Sequence, residues 1–149
     1  MSIATRPAEP APKRAAARTI YLLKRAETTV RLRLEEVLRD LAVTPGQYTT
    51  MTLVRTHREV SSADLARQVG VTPQSMSEMI AVLERKGWIE RGVVAENKRI
   101  LRIGLSDTGQ ALIGLCDARA EAMEHALLRD LAPDHLAALR RALEMIARG

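Results

Sequence analysis

Apolar residues recur at three- and four-residue steps over most of this chain, and the polar positions between them mark where elements begin and end. A long helix is predicted from about Ala17 to Leu41. Ile20, Leu23, Val30, Leu34, Val37 and Leu41 form its stripe, which Glu27 interrupts. Glu27–Arg31 and Glu35–Arg39 are favourable i,i+4 pairs on the wet side. Thr44-Pro45 opens a second helix to about Thr56, with Pro45 at the first helical position, where no N–H is needed. Ser61 or Ser62 caps a third, and Asp64 stands close to a capping-box position. Leu65, Ala66 and Val69 give this helix an apolar face, and Gly70 ends it in a left-handed turn that Val71 is expected to fill. Thr72 caps a fourth helix and Pro73 begins it. Its buried stripe is Met76, Met79, Ile80 and Leu83, and Gly87 ends it.

The period then changes from helix to strand. Trp88 to Arg91 reads as one strand, and Leu101, Ile103 and Leu105, alternating with Arg102 and Gly104, as its antiparallel partner. Ala95-Glu96-Asn97-Lys98 is the expected hairpin tip. Ser106 caps a long helix to about Arg129, with Leu112, Leu115, Cys116, Met123, Ala126 and Leu127 on one side. Pro133 starts a last helix carrying Leu136, Leu139, Leu143 and Ile146. There is no internal repeat at 20–50 residues. Two short helices around a tight turn, followed by a hairpin, are the layout of a winged helix-turn-helix, which places one helix in the DNA major groove.

The segment LARQVGVTPQSMSEMIAVLERKGWIER resembles the core signature of the MarR family of winged-helix transcription regulators. The likeness continues into VVAENKRILRIGLS at the wing and SDTGQAL at the fifth helix. Upstream it takes in YLLKRAETTVRLRLEEVL and LAVTPGQYTTMTLV, so that it covers roughly residues 17 to 147. The ordered series of motifs carries the resemblance rather than any one of them. The expected fold is mainly α, about six helices plus a two- to three-stranded wing. Residues 1–16 read as a disordered basic tail rich in Pro and Ala, 17–44 as an N-terminal dimerisation helix, 45–105 as the DNA-binding domain and 106–149 as C-terminal dimerisation helices.

Length favours one domain. The chain has 149 residues, no long apolar run and no signal-peptide core, so a membrane span and secretion are not expected, and a cytoplasmic protein is. Its single cysteine allows no intrachain disulfide. The net charge of +5 is unevenly spread. Residues 1–41 carry +4, residues 55–102 carry +3 and residues 103–149 carry −2. A basic reader and wing suit a polyanion, although ordinary surface scatter gives a similar pattern. A helix of about 25 residues spans roughly 37 Å, more than one small winged domain covers. The terminal helices of two chains are therefore expected to bury each other, placing two readers roughly 34 Å apart. A larger monomeric bundle is the alternative.

On a helical wheel, the face opposite the buried stripe of the fourth helix carries Gln74, Glu78, Ala81 and Arg85, flanked by Ser75 and Ser77. Gln pairs with adenine on two atoms, Ser with either partner, and Glu accepts from cytosine N4. Glu78 is unexpected against phosphate. It reads a cytosine, lowers affinity, or shows that the wheel register is wrong. Ser62 and Thr72 suit phosphate, and Thr72 equally suits a cap. Arg91 and Lys98 are candidate phosphate contacts. In the family resemblance, the wing tip carries Asp, one residue, then Arg. Here Asn97, Lys98 and Arg99 hold those places, so Arg99 is the candidate minor-groove cation and Asn97 replaces the acid that would orient it.

The resemblance also implies a small ligand, often phenolic or aromatic, that binds between dimer helices and winged domain and lowers DNA affinity. Tyr48, Arg55 and His57 are the candidate lining, although Tyr48 better suits core with its hydroxyl at the surface, and His57 a cation at a helix C-terminus. Cys116 reads as a buried structural thiol without a basic neighbour. His57, His125 and His135 show no metal-ligand spacing, and no cofactor is expected. No nucleophile-and-base set or phosphate-cradling loop suggests an enzyme. A winged-helix module that binds protein through its reader face remains the competing reading.

Overall fold

A computed structural model of the chain describes residues 18–57, 60–94 and 97–148, with side chains for all of these except 93, 94 and 97–102. The expected tail over residues 1–16 and the loop residues 95 and 96 lie outside the described residues. The elements are α1 (Thr19–Leu38), α2 (Pro45–Thr56), α3 (Ser62–Val69), α4 (Pro73–Arg85), β1 (Ile89–Val94), β2 (Asn97–Leu105), α5 (Asp107–Leu128) and α6 (Pro133–Arg148), with a short 3-10 turn at Arg39–Leu41.

Helices α2, α3, α4 and α5 each begin at a hydroxyl. Thr44, Ser61, Thr72 and Ser106 accept from the backbone N–H three residues on, at 3.2, 3.1, 3.1 and 3.0 Å. Each bond satisfies a donor that the helix itself leaves unpaired. At α2 the Gln47 side chain also accepts from Thr44 N at 3.1 Å, which completes a capping box. Ser61, not Ser62, is the cap of α3. The turn after α3 has Gly70 at φ 77°, a left-handed conformation that a side chain would strain.

The first helix ends earlier than its apolar stripe suggests. The α-helix stops at Leu38, the 3-10 turn tightens the chain, and Ala42 adopts φ 54°. That bend returns Val43 to the interior beside Leu38 and Cys116. With Arg39 in the 3-10 turn, Glu35 is reached from the preceding turn by Arg31, at 3.8 Å, instead of by Arg39. Glu27–Arg31 forms as expected, at 3.9 Å.

The main core joins α2, α3, α4, the sheet and the start of α5 through Met51, Leu65, Met76, Ile80, Leu83, Ile103 and Ile113, among others. Tyr48, Trp88 and Leu112 touch both this cluster and the smaller one around Leu38. Strands β1 and β2 pair antiparallel from Ile89↔Leu105 to Val93↔Leu101, and the register then slips to Val94↔Asn97. Asn97 and Lys98, expected in the hairpin tip, are therefore the first residues of β2.

Two side chains depart from their predicted places. Val71 does not fill the turn, being 40% exposed. On α5 the buried residues are Gly109, Ile113 and Cys116, while Leu115 and Leu127 from the predicted stripe are exposed. The start of α5 packs on the winged core, so Ile113 faces inward there. Farther along, α5 has apolar residues with nothing of this chain over them. Helix α6 buries no residue, and α1 buries only Leu38. Ile20, Leu22, Leu139, Leu143 and Ile146 are left open.

Candidate nucleic-acid interface

Met76, Ile80 and Leu83 anchor α4 in the core and are essentially inaccessible. That fixes the opposite face outward: Gln74, Ser75, Ser77 and Glu78 are all exposed. The wheel register is therefore correct, and Glu78 does point from the outer face.

The hydroxyls of this face are largely committed. Thr72 Oγ1 caps Ser75 N and donates to Ser75 Oγ at 2.9 Å. Ser77 donates to the Pro73 carbonyl at 2.9 Å, which leaves its oxygen as an acceptor. Ser75 keeps its own proton for an outside partner. Gln74 Nε2 donates to Glu78 Oε1 at 3.3 Å, one turn along. Ser62 is differently placed. Its Oγ is buried and has no partner among the described residues, so its hydroxyl does not face a phosphate in this rotamer.

The turn after α4 holds the reader against the rest of the molecule. Gly87 takes φ 71°, and its carbonyl accepts from Ser106 Oγ at 2.5 Å. Trp88 O accepts from Ser106 N at 3.1 Å. Gly109 lies so close that a Cβ there would sit 1.9 Å from Trp88 O. Lys86 donates to Ala42 O at 3.3 Å, and its ammonium stands 4.2 Å from the centre of the Trp88 ring. Arg91 donates to Glu84 across 3.1 Å, and both remain partly exposed. A phosphate competing for Arg91 would have to draw it from that carboxylate. Lys98 and Arg99 lie on β2 at the far end of the hairpin from α5.

The candidate ligand residues fall into two groups. Tyr48 and Arg55 converge on Asp117 of α5, the hydroxyl at 2.8 Å and the guanidinium at 2.6 Å. His57 is the exposed C-cap of α2 and does not join them. Arg55 holds the Asp117 carboxyl below its ordinary range, and burial together with Asp117 pushes Tyr48 up to about 12. Burial raises the Cys116 thiol, which makes it a poor nucleophile. Tyr48 also lines an open groove of about 760 Å³ walled by α1, α5 and α6, with Leu22, Leu34, Met123, Leu139 and Leu143 around it. The roles of Asp117 and Gly109, and the contact of Lys86 with Ala42, are not legible in the sequence because the partners lie far away in the chain. A glycine in the first turn of α5 was the one available signal.

The MarR family model matches residues 43–101, from the start of α2 into the wing. The chain belongs to the MarR family. The HTH-type transcriptional repressor Rv2887 of Mycobacterium tuberculosis is 29% identical over 126 residues, covering 85% of this chain and 91% of the repressor. The crystal structure of that MarR family protein with p-aminosalicylic acid superposes with a TM-score of 0.74 at 28% identity, covering 87% of this chain and 98% of the other. A mutant of Escherichia coli MarR, complexed with operator DNA, matches with a TM-score of 0.74 at 23% identity over 85% and 91% of the two chains, and supports the fold. The expected family and fold class are thus both borne out. Among the described residues, no helix is long and apolar enough to cross a membrane.

Proposed function

We propose that this MarR-family chain is a cytoplasmic, homodimeric transcription regulator. It binds a pseudo-palindromic double-stranded DNA operator as a repressor, and a small aromatic ligand releases it. One observation carries the reading: a helix anchored by Met76, Ile80 and Leu83 turns an exposed polar face outward beside a two-stranded wing. Residues 45–105 form the reading head. Residues 17–44 and 106–149 form the dimer, because α1, α5 and α6 carry apolar faces that their own chain leaves open. The relatives' operator and p-aminosalicylic acid complexes support the DNA and ligand parts of the proposal. Tyr48, at the groove wall, is the ligand-lining residue best supported.

Base contacts fall to Gln74 and Ser77. Thr72, Ser75, Arg91 and Lys98 meet phosphate, and Arg99 enters the minor groove. The test is titration of the purified protein into duplexes from the chain's own upstream region, at two salt concentrations, beside a scrambled duplex. Palindrome-dependent binding that weakens steeply with salt is expected. Equal, weak and salt-insensitive binding to all duplexes would favour a protein partner for the reader face.

A further inference from the structure

The exposed acid on the reading face has an assignable task. We propose that Glu78 does not contact a base but is a positioning residue, holding the Gln74 amide in the orientation that reads adenine. This inference rests on the operator-reading function proposed above.

Gln74 and Glu78 lie one helical turn apart, the spacing at which side chains on one face meet. Gln74 Nε2 donates to Glu78 Oε1 at 3.3 Å. An ionised carboxylate only accepts hydrogen bonds. It therefore selects one of the two amide orientations, the one with the nitrogen toward Glu78. An amide NH2 carries two protons. Adenine readout requires that Glu78 take the proton pointing away from the amide oxygen. The amide oxygen and the remaining N–H then form a donor–acceptor edge, which matches adenine N6–H and N7 in the major groove.

The neighbours leave this arrangement undisturbed. Thr72 and Ser77 spend their protons on Ser75 Oγ and the Pro73 carbonyl. The residue one turn after Glu78 is Val82, which offers no cation. Fixing a rotamer-rich glutamine before DNA arrives lowers the entropic cost of ordering it on binding. That gain offsets the repulsion between Glu78 and phosphate.

The experiment begins with selection of duplexes from a random library by the wild-type protein. Affinities are then measured for the selected duplex and its single-base substitutions, and for a duplex with 7-deazaadenine in place of each adenine. The proteins are wild type, Gln74→Ala, Glu78→Ala, Glu78→Gln and the double alanine variant. Both side chains are exposed, so equal melting temperatures are expected throughout. The wild type should prefer adenine by about tenfold at one position of each half-site and lose that margin with 7-deazaadenine. Gln74→Ala and Glu78→Ala should each abolish the preference at this same position, and the double variant should lose no more than either. Glu78→Gln offers a donor as well as an acceptor, no longer selects one amide orientation, and should lose much of the preference. Two results would overturn the proposal. One is a uniform rise in affinity on Glu78→Ala with the adenine preference intact, which would make Glu78 a repulsive charge only. The other is loss of preference at a different base pair from the one Gln74 controls, which would make Glu78 a direct reader. Failure of the wild type to enrich any motif would refute operator reading itself, a distinct outcome.

Discussion

Replacing Asp117 by Asn tests the joint between α2 and α5. Asp117 on α5 accepts from Tyr48 and Arg55, both on α2, at 2.8 and 2.6 Å. Bonds to a charged group contribute about 1.5–3 kcal/mol each when well sheltered. Arg55 and Asp117 are 34% and 37% exposed, so solvent screening reduces the pair toward the surface range. Asparagine keeps an acceptor for one partner and loses the charge for the other. The expected loss is about 1–2 kcal/mol, or roughly 2–8 °C in melting temperature.

The pH dependence carries the sharper test. Arg55 lowers the Asp117 pKa in the folded state, with Tyr48 adding to it. A depressed carboxylate stabilises the fold above its unfolded pKa and loses that contribution as pH falls through the folded value. Wild type and Asp117→Asn should therefore differ fully at about pH 7 and converge in strong acid. Thermal melts at one fixed protomer concentration across this range make the comparison, since a dimer's melting point depends on concentration. A gap of the same size at every pH, or none at neutral pH, would show that the carboxylate's charge does not hold α5 to α2.

Four further outcomes follow from the same contacts. Tyr48 has its pKa raised, so its contribution is present below the ordinary value near 10 and lost as pH rises through about 12. Ultraviolet titration should show a late tyrosine step, which Tyr48→Phe should remove. Gly109→Ala drives a methyl into the Trp88 backbone and should cost more than about 1–3 kcal/mol, read by urea denaturation. Leu139→Glu with Leu143→Glu places charge on the open face of α6 and should yield monomers by sedimentation, with operator binding lost; retained dimers would move the interface elsewhere. Arg99→Ala should weaken binding to A·T-flanked duplexes most and lower the salt slope by about one.

Local chemistry made most of the elements legible. The hydroxyl caps at Thr44, Thr72 and Ser106 and the turn glycines at Gly70 and Gly87 act within four residues of themselves, so a sequence displays them directly. The stripe of α4 was legible for the same reason, because one uniform core covers it. Helix α5 was not. Its first half packs on the winged core through Ile113, while its second half is open, so no single stripe describes it. In α1, apolar spacing continued through a 3-10 turn that sequence periodicity does not distinguish from helix. At the site, the outward residues of α4 followed from geometry alone, whereas their hydrogen bonds did not. The Ser62 hydroxyl turned inward, and Gln74 found Glu78, through rotamer choices that no spacing rule specifies.

The two attachments of α5 explain why one helix can serve both halves of the molecule. Near its start, Ser106 and Gly109 seat it on the turn that leaves the reading helix. Two turns on, Asp117 ties it to α2. Beyond that point Arg119 reaches the Val37 carbonyl and Asp40, and apolar side chains line the groove shared with α1 and α6. Helix α5 is thus fixed to the winged core at one end and lies against α1 and α6 at the other. Over 22 residues it spans roughly 33 Å, so a tilt of about 5° displaces its far end by roughly 3 Å. Two readers must keep a spacing of one DNA turn, about 34 Å, to engage successive major grooves. A displacement of that size is a sizeable fraction of the groove's width. On the proposed function, a ligand seated against α1, α5 and α6 is expected to change reader spacing through this helix, with no contact to α4 itself.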